Sequence, residues 1–473
     1  MALAALVLRS APAAAAGNPL DGKQYSLDIF QGPILAPSDV IGTAGAYAGV
    51  AEGIAGMAVN AAAPAVRDIY NVNYFSWDFS PSISIPLNLF GPRDDFADAG
   101  TAGPNYADFI SISAGGLIQY GSLGMGLDAQ IQRYSLASPA SKAAPSISTA
   151  VTLGKYQALV AYTFLGDQLS VGVGARIASL SLVPGDTEQS LTIFGAAPEI
   201  GVLVRPDWQS FRLGLTMRFP VHGGRLLGPN VTQAGGLDLP DDVVLPWELE
   251  LGTAIQVGPR PLNPPWIDPH AQEETLHRSF LLRRRRRERD DLAELARIGD
   301  PATRMARQKE IVADEAARQQ QEEVDEARIA RTLQDDRRAR AQNWPREHLL
   351  LTMELLVTGA VGQGVSLQSF LGQNQPGGAT TVGSSGASVN YSPRAGVETE
   401  PIPGRMHTRA GSYYEPNRFG TEVGRQHFTF GADVKVFSTT WFGLVPRTTY
   451  KAQAYADFSP RYQSVSAGVG VWP

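Results

Sequence analysis

The sequence has no cysteine, few charges and no long apolar run. The absence of thiols among its 473 residues excludes disulfide bonds, thiol catalysis and cysteine-bound zinc. Only 18% of the residues are charged and the formal net charge is -6, which argues against a nucleic-acid-binding protein, because such a protein neutralises phosphates with a basic surface. No segment has the roughly 18 apolar residues that a membrane-spanning helix needs. Glycine (49 residues) and proline (33 residues) are abundant, which favours a turn-rich β-fold.

Large apolar residues alternate with small or polar ones in many stretches of the chain. Between Phe211 and Phe219, every second residue is apolar, and arginine, glycine or threonine lies between them. A period of two is that of a β-strand with one apolar and one polar face. The stretches run for about nine to twelve residues, the length of a tilted strand that crosses a bilayer. A soluble β-protein has the same alternation, but a polar face of glycine, arginine, glutamate and threonine is typical of a barrel with a watery lumen.

The connections between these stretches alternate in length. Short turns are predicted at 165–168, 205–210 and 403–405, and long polar loops at 88–107, 223–243 and 369–391. Outer-membrane barrels place short turns in the periplasm and long loops outside the cell. The pattern predicts an all-β transmembrane protein of the bacterial outer membrane with about 14 antiparallel strands. Strands 1–8 are expected in residues 71–260 and strands 9–14 in residues 347–473.

Residues 261–346 interrupt the barrel pattern at a connection that this count places in the periplasm. Residues of opposite charge stand three or four positions apart along the segment, as they do on the surface of a helix. In the stretch IGDPATR, Gly299 ends one helix, Asp300 caps the next and Pro301 takes its first position. The segment is predicted to be an inserted helical hairpin.

The hairpin carries an unbroken run of arginines, which are Arg283, Arg284, Arg285, Arg286 and Arg287. One interpretation is a solvated helix face that the adjacent Glu288, Asp290 and Asp291 neutralise. The other is a contact with anionic headgroups at a membrane surface or with an acidic periplasmic protein partner. Nucleic acid is not expected as a partner, because an exported domain does not meet it.

The N-terminal region divides into two segments. Residues 1–16 have a short apolar stretch followed by an alanine-rich site, which predicts a signal peptide and export. Residues 17–70 are expected to form a hatch, because from Ser38 onward they are rich in alanine and glycine and too apolar for an exposed leader. Ser38 is expected to cap a helix whose small residues pack closely against a wall. The larger side chains of that helix are Ile41, Tyr47, Val50, Ile54 and Met57.

Several stretches resemble the outer-membrane long-chain fatty acid transporter family and its scaffold-like relatives. They are the alanine-rich segment around Asn60, EIGVLVRPDWQSFRLGLTMRFPV, LPWELELGTAIQV and SPRAGVETEPIPGRMHTRAGSYYEPNRF. In that family a hatch ending in an Asn-Pro-Ala motif plugs a fourteen-stranded barrel; here three alanines separate Asn60 from Pro64. The resemblance implies passage of hydrophobic small molecules such as long-chain fatty acids. The ligand path that it implies passes Ile41, Tyr47, Val50, Ile54, Met57 and Asn60.

A second function is compatible with the same pattern. A closed barrel scaffold would anchor a multiprotein envelope complex through the helical insert, which passage of a ligand leaves unused. No spacing of residues indicates a catalytic group, a cofactor or a metal site, and no enzyme activity is predicted. The expected partners are outer-membrane lipid, a hydrophobic small-molecule ligand and, for the scaffold, a periplasmic protein.

Overall fold

The chain forms two compact units in a computed structural model. The barrel unit comprises residues 1–68, 77–264 and 345–473, and the hairpin unit comprises residues 69–76 and 265–344. The predicted signal peptide and parts of the predicted long loops lie outside the described residues. The residues that the structure describes are 25–87, 106–137, 148–184, 191–224, 233–234, 237–367, 370, 384–419, 424–440, 448–460 and 462–472.

Within the described residues, fourteen strands form one closed barrel in which each strand pairs with its neighbours along the chain. They are β1 (Phe75–Pro86), β2 (Tyr106–Tyr120), β3 (Leu123–Ala137), β4 (Ser148–Phe164), β5 (Leu169–Pro184), β6 (Leu191–Val204), β7 (Phe211–Arg218), β8 (Glu248–Val257), β9 (Leu349–Thr358), β10 (Asn390–Ile402), β11 (Met406–Glu415), β12 (Arg425–Thr439), β13 (Thr448–Ser459) and β14 (Tyr462–Trp472). The first and last strands pair with each other and close the wall. The predicted fold class is confirmed.

The barrel wall has its apolar face outside and its polar face inside. On β7, Leu213 and Leu215 are 50% and 41% exposed, whereas Arg212 is 0% exposed. On β12, Phe428 and Phe430 are exposed, and the residues that alternate with them are buried. This distribution is the reverse of that in a soluble β-protein, where the apolar face is the buried one. The alternation predicted from the sequence is therefore that of a membrane barrel.

The two ends of the barrel differ in their connections. Turns at 121–122, 165–168, 205–210 and 403–405 join strands at one end, which we call the short-turn end. In the turn at 403–405, Gly404 has a φ of 69°, a conformation that glycine adopts without strain. Longer connections, such as the one between β7 and β8, join strands at the opposite, long-loop end. The three short turns predicted from the sequence are confirmed.

The N-terminal segment does not form the single helix predicted from Ser38. It contains two short helices, α1 (Ser38–Gly42) and α2 (Gly53–Met57), and a 3-10 turn at Ala63–Ala65. Gly45 and Gly53 have φ values of 76° and 61°, which interrupt a right-handed helix. Ser38 lies inside α1, and Pro37 occupies the N-cap position without a side-chain bond. The prediction of one continuous helix capped by Ser38 is wrong.

Four short strands form a second sheet near the long-loop end. Ser26–Asp28 lies between Asp242–Leu245 and Gly364–Ser366 and is parallel to both, and Val221–Gly223 extends the sheet. The connections that follow β7 and β9 supply both partners of Ser26–Asp28 and the strand Val221–Gly223 at the edge of the sheet. The start of the N-terminal segment is thus held by strands from the long connections.

The hairpin unit consists of two long helices, as the sequence predicted. They are α3 (Pro269–Arg297) and α4 (Pro301–Gln342). With 42 residues, α4 is about 63 Å long at 1.5 Å per residue. Asp300 caps α4 and Pro301 occupies its first turn, so the predicted boundary between the helices is confirmed. Among the described residues, no helix is both long enough and apolar enough to span a membrane.

We expect Asp300→Ala to loosen the first turn of α4. The hydroxyl and the backbone N–H of Thr303 donate hydrogen bonds to the Asp300 carboxylate and hold its pKa below the usual range. Because the pKa of Asp300 is lower in the folded state than in the unfolded state, its carboxylate stabilises the fold at pH values above the ordinary carboxyl pKa. This stabilisation is lost as the pH falls through the lowered pKa of the folded state. Hydrogen exchange at the Thr303 amide should be faster in the variant at neutral pH, and acidification should narrow the difference. Equal rates at neutral pH would show that the cap does not stabilise this turn.

Candidate functional site

The lumen is layered along its length. On the inner face of β4, Val151 and Leu153 are buried near the long-loop end, and Leu159 is buried near the short-turn end. Lys155 and Gln157 lie on the same face between these two apolar positions. Residues of other strands continue each layer. We call the layers the apolar chamber, the charged belt and the hatch layer.

The apolar chamber is filled by the N-terminal strand. Wall residues such as Leu153 and Leu180 belong to one buried cluster with Tyr25, Leu27 and Ile29. Leu27, at the centre of the short sheet, is fully buried. These side chains occupy the apolar space that the long connections enclose.

An ion pair connects this strand to a residue near the long-loop end of the barrel. Arg418 forms an ion pair with Asp28 at 2.8 Å, and the hydroxyl of Ser385 donates a hydrogen bond to the same carboxylate at 3.0 Å. The guanidinium of Arg418 also lies 4.8 Å from the centre of the Phe30 ring. A cavity of about 30 Å³ beside them has room for a water molecule but not for an organic ligand. The described residues therefore leave no space for an organic ligand beside this ion pair.

The charged belt is built from ion pairs between residues of different strands, some of them neighbours in the wall. Arg176 pairs with Glu248 at 2.9 Å, and Arg218 pairs with Glu250 at 3.0 Å. Arg394 pairs with Glu354 at 3.0 Å. All of these side chains are buried or nearly so, and a buried charge requires a partner because it has lost its hydration.

Lys155 differs from the other cations of the belt. It lies two residues beyond Leu153 on the same face of β4, at the boundary between the belt and the apolar chamber. Within the described residues it forms no ion pair. The ammonium group is therefore available to an anion that enters from the chamber.

The hatch layer contacts the wall through glycines that face the lumen. A Cβ atom at Gly172 of β5 would overlap the carbonyl group of Ala61, and one at Gly214 of β7 would overlap that of Ala48. The hatch backbone therefore lies directly against the wall at these points, where only glycine leaves enough space. The sequence pattern indicated that the glycines of the polar face border a watery lumen. In the structure these glycines leave the space in which the hatch backbone contacts the wall.

Polar wall residues bind the hatch backbone. Glu354 accepts hydrogen bonds from the N–H groups of Tyr47 and Ala48 at 3.1 and 2.9 Å. The amide of Asn60 donates to the carbonyl oxygens of Ala48 and Val202 at 3.0 and 3.2 Å, and its oxygen accepts from the N–H of Ala62. Hydrogen bonds of this kind satisfy the backbone groups of a segment with little regular secondary structure.

Asp39 makes the most extensive contact between hatch and wall. Its carboxylate accepts hydrogen bonds from Lys451 at 2.8 Å, Gln453 at 2.6 Å, Arg409 at 3.1 Å and Tyr455 at 3.2 Å. All four donors lie on β11 and β13. We call this group of five residues the latch.

The residues predicted to line a ligand path are all buried in the hatch, but they do not share one surface. Ile54 and Met57 pack with wall residues that include Leu159. Tyr47 and Val50 belong to a different cluster, which contains Leu350 of β9. Ile41 is buried in α1, and Asn60 is a tether of the backbone. In this structure the residues are packed inside the barrel, and their role along a path stays a prediction.

Sequence reasoning missed two of the most informative residues, Lys155 and Asp39. A single lysine in a strand gives no signal, because its lack of a partner depends on residues of other strands. Asp39 did give one: it is the only charged residue between Asp28 and Glu52, and an isolated acid in an apolar segment must find a partner when it is buried.

The structure divides the arginine run between two sides of α3. Arg284 and Arg287 face α4, where both pair with Glu322, at 3.6 and 2.6 Å, and Arg287 also lies 3.6 Å from Glu315. In the hairpin unit, which is described throughout, the run forms no ion pair with Glu288, Asp290 or Asp291. The acids that form ion pairs with the run come from the other helix, and charge balance by the adjacent acids stays a prediction.

A closed wall with an apolar exterior, a charged lumen and an N-terminal hatch defines a plugged β-barrel of the bacterial outer membrane. No protein-family model matches the sequence. A comparison with curated proteins finds no similar sequence. Among solved structures, the CymD monoaromatic hydrocarbon channel is similar over 92% of this chain and 96% of its own, with 9% identity and a TM-score of 0.44. The P. putida toluene transporter TodX is similar over 93% of this chain and 98% of its own, with 10% identity and a TM-score of 0.44.

Proposed function

We propose that the protein carries hydrophobic small molecules across the outer membrane and that long-chain fatty acids are among them. The layered lumen supports this function, because an apolar chamber borders a belt in which one described cation, Lys155, forms no ion pair. Burial of an alkyl chain is favourable by about 0.8 kcal/mol per methylene. A carboxylate at the end of that chain is stabilised by an ammonium group.

Lys155 is the single observation that carries the fatty acid assignment. A neutral hydrocarbon requires only the apolar chamber, whereas a fatty acid also requires a cation at the point where its alkyl chain ends. Lys155 lies next to Leu153 of the chamber, and the other belt cations already have carboxylate partners. The ammonium of Lys155 is thus free to take the carboxylate of the ligand.

Passage requires the N-terminal segment to move. The long-loop end faces the outside of the cell and the short-turn end faces the periplasm, as in other outer-membrane barrels. A ligand from outside displaces Tyr25 and Leu27 from the chamber, since these side chains occupy it in the closed state. The hairpin unit is inserted between β8 and β9, at a connection of the short-turn end, which supports the proposal that it lies in the periplasm.

The test is uptake of a labelled long-chain fatty acid by cells that carry the protein and by cells that lack it. Lys155→Ala should lower protein-dependent uptake about tenfold at limiting ligand, which corresponds to the loss of one charge-assisted hydrogen bond. Uptake of toluene, which has no carboxylate, should not change in the variant. Lys435→Ala is the matched control, because Lys435 is an exposed lysine of β12.

Two results would contradict the proposal at different levels. If uptake is the same with and without a correctly folded barrel in the membrane, the protein does not carry fatty acids. If uptake depends on the protein but not on Lys155, passage stands and the assigned role of Lys155 is wrong.

A further inference from the structure

The outward face of α3 carries a compact basic surface that the barrel does not use. Leu282 is 60% exposed, although it is a large apolar residue. One turn before it lies Arg278, one turn after it lie Arg285 and Arg286, and two turns after it lies Arg289. Residues at these spacings share one face of a helix, so the arginines surround the leucine. We call these five residues the leucine–arginine surface.

The hairpin leaves most of this surface without internal partners. In the fully described hairpin unit, Arg285, Arg286 and Arg289 are exposed and form no ion pair. Arg278 pairs with Glu274 of its own helix at 2.7 Å, and both side chains are exposed. The positive charge of the surface is therefore available to a partner.

The inward arginines hold this surface in place. Arg284 and Arg287 form ion pairs with Glu322 of α4. Arg285, Arg286 and Arg289 belong to the same turns of α3 and point outward. Ion pairs in the seam between two helices fix their rotation and register. The arginine run thus has two sides, because Arg284 and Arg287 pair with α4 whereas Arg285 and Arg286 face solvent.

We infer that the leucine–arginine surface binds an acidic helix of a partner protein. The chemistry of the surface selects the features of this helix: one apolar residue that packs on Leu282, with carboxylates about one turn before and after it. Arginine binds carboxylates in a bidentate geometry and is enriched among the residues that contribute most to the binding energy of protein interfaces. This interaction is independent of ligand passage through the barrel.

A protein partner fits the surface better than a lipid bilayer does. Helices that lie on a membrane derive much of their binding free energy from a broad apolar face. The outward face of α3 from Arg278 to Ala296 presents two leucines, Leu282 and Leu292, and two alanines, Ala293 and Ala296, beside its arginines. The two leucines are ten residues, or about 15 Å, apart along the helix, so each offers a contact to one side chain and they do not form a broad apolar face.

The experiment measures binding of two labelled peptides to the full-length protein in detergent micelles. The first peptide is a designed helix in which each leucine has glutamates one turn before and after it. The second has the same composition in scrambled order. We expect the first peptide to bind, the scrambled one to bind much less, and added salt to weaken the interaction. Vesicles that contain phosphatidylglycerol provide the corresponding lipid probe.

Variants locate the contact on α3. Arg285→Ala combined with Arg286→Ala and Arg289→Ala should raise the dissociation constant about tenfold or more, and Leu282→Ala alone should also weaken binding. The matched control removes the same charge from exposed positions of α4, with Lys309→Ala, Arg331→Ala and Arg338→Ala. Circular dichroism should show unchanged helicity in all variants, because none of these side chains lies in the seam.

The proposal is overturned if neither peptide binds or if the scrambled peptide binds equally well. Equal loss of binding in the α4 control would overturn it too, because the effect would then be one of total charge. Binding to vesicles without binding to the ordered peptide would assign the surface to lipid.

Discussion

Asp39→Ala should release α1 from the barrel wall while the wall itself stays folded. The substitution removes an acceptor of four hydrogen bonds, two of them from cations, and a hydrogen bond to a charged group contributes about 1.5–3 kcal/mol. Lys451 and Arg409 keep ion pairs with Asp433 at 3.0 and 2.8 Å, so the wall is not left with an unpaired charge. The destabilisation therefore falls on the docking of the hatch. Hydrogen exchange of the α1 amides should accelerate roughly 100-fold or more, with strand amides unchanged.

A second reporter of the same variant is conductance across a planar bilayer, which should rise as the hatch leaves the lumen more often. Asp457→Asn is the matched control, because Asp457 is a buried lumen carboxylate that accepts hydrogen bonds from the wall residues Tyr413 and His427. The control should leave α1 protected. Unchanged protection of α1 in Asp39→Ala would mean that the latch does not determine the docking of the hatch.

Gly214→Leu should displace the middle of the hatch. The new Cβ atom would overlap the carbonyl of Ala48, which also accepts the hydrogen bond from Asn60. Inserting atoms into a packed interior costs about 1–3 kcal/mol when side chains can rearrange. Here the obstacle is backbone on both sides, so the hatch must move away from β7. Exchange at the amides of residues 46–51 should increase, and the thermal stability of the protein should fall.

Gly116→Leu provides the control for this substitution. Gly116 lies on β2, and a Cβ atom there has no neighbour within 4 Å. The added leucine extends toward lipid and should leave both the hatch and the thermal stability close to those of the parent protein. Similar effects of the two substitutions would mean that a leucine disturbs the strand itself, whether or not the hatch lies against it.

The barrel wall and the hairpin could be predicted from the sequence because each depends on residues that lie close together along the chain. The alternation from Phe211 to Phe219 assigns faces to a strand, and the strands can follow one another around the barrel because every connection joins neighbours. The boundary at Asp300 and Pro301 was equally local, since a cap acts on the next three residues. The structure of the hatch could not be predicted in the same way. Its composition is compatible with a helix, but contacts with the wall select left-handed backbone at Gly45 and Gly53.

The sequence by itself determined that this chain is a fourteen-stranded membrane barrel with a helical insert, because strand period, turns and helix caps act over a few residues. Only the tertiary structure decided which charges are paired. Asp39 finds its donors 370 to 416 positions away, and Lys155 forms no ion pair within the described residues, where Glu248 and Glu250 of the belt pair with arginines. The arginine run was divided for the same reason, since Glu315 and Glu322 come from the opposite helix. A buried charge is governed by whichever group the fold brings within about 4 Å of it, and no local pattern specifies that group.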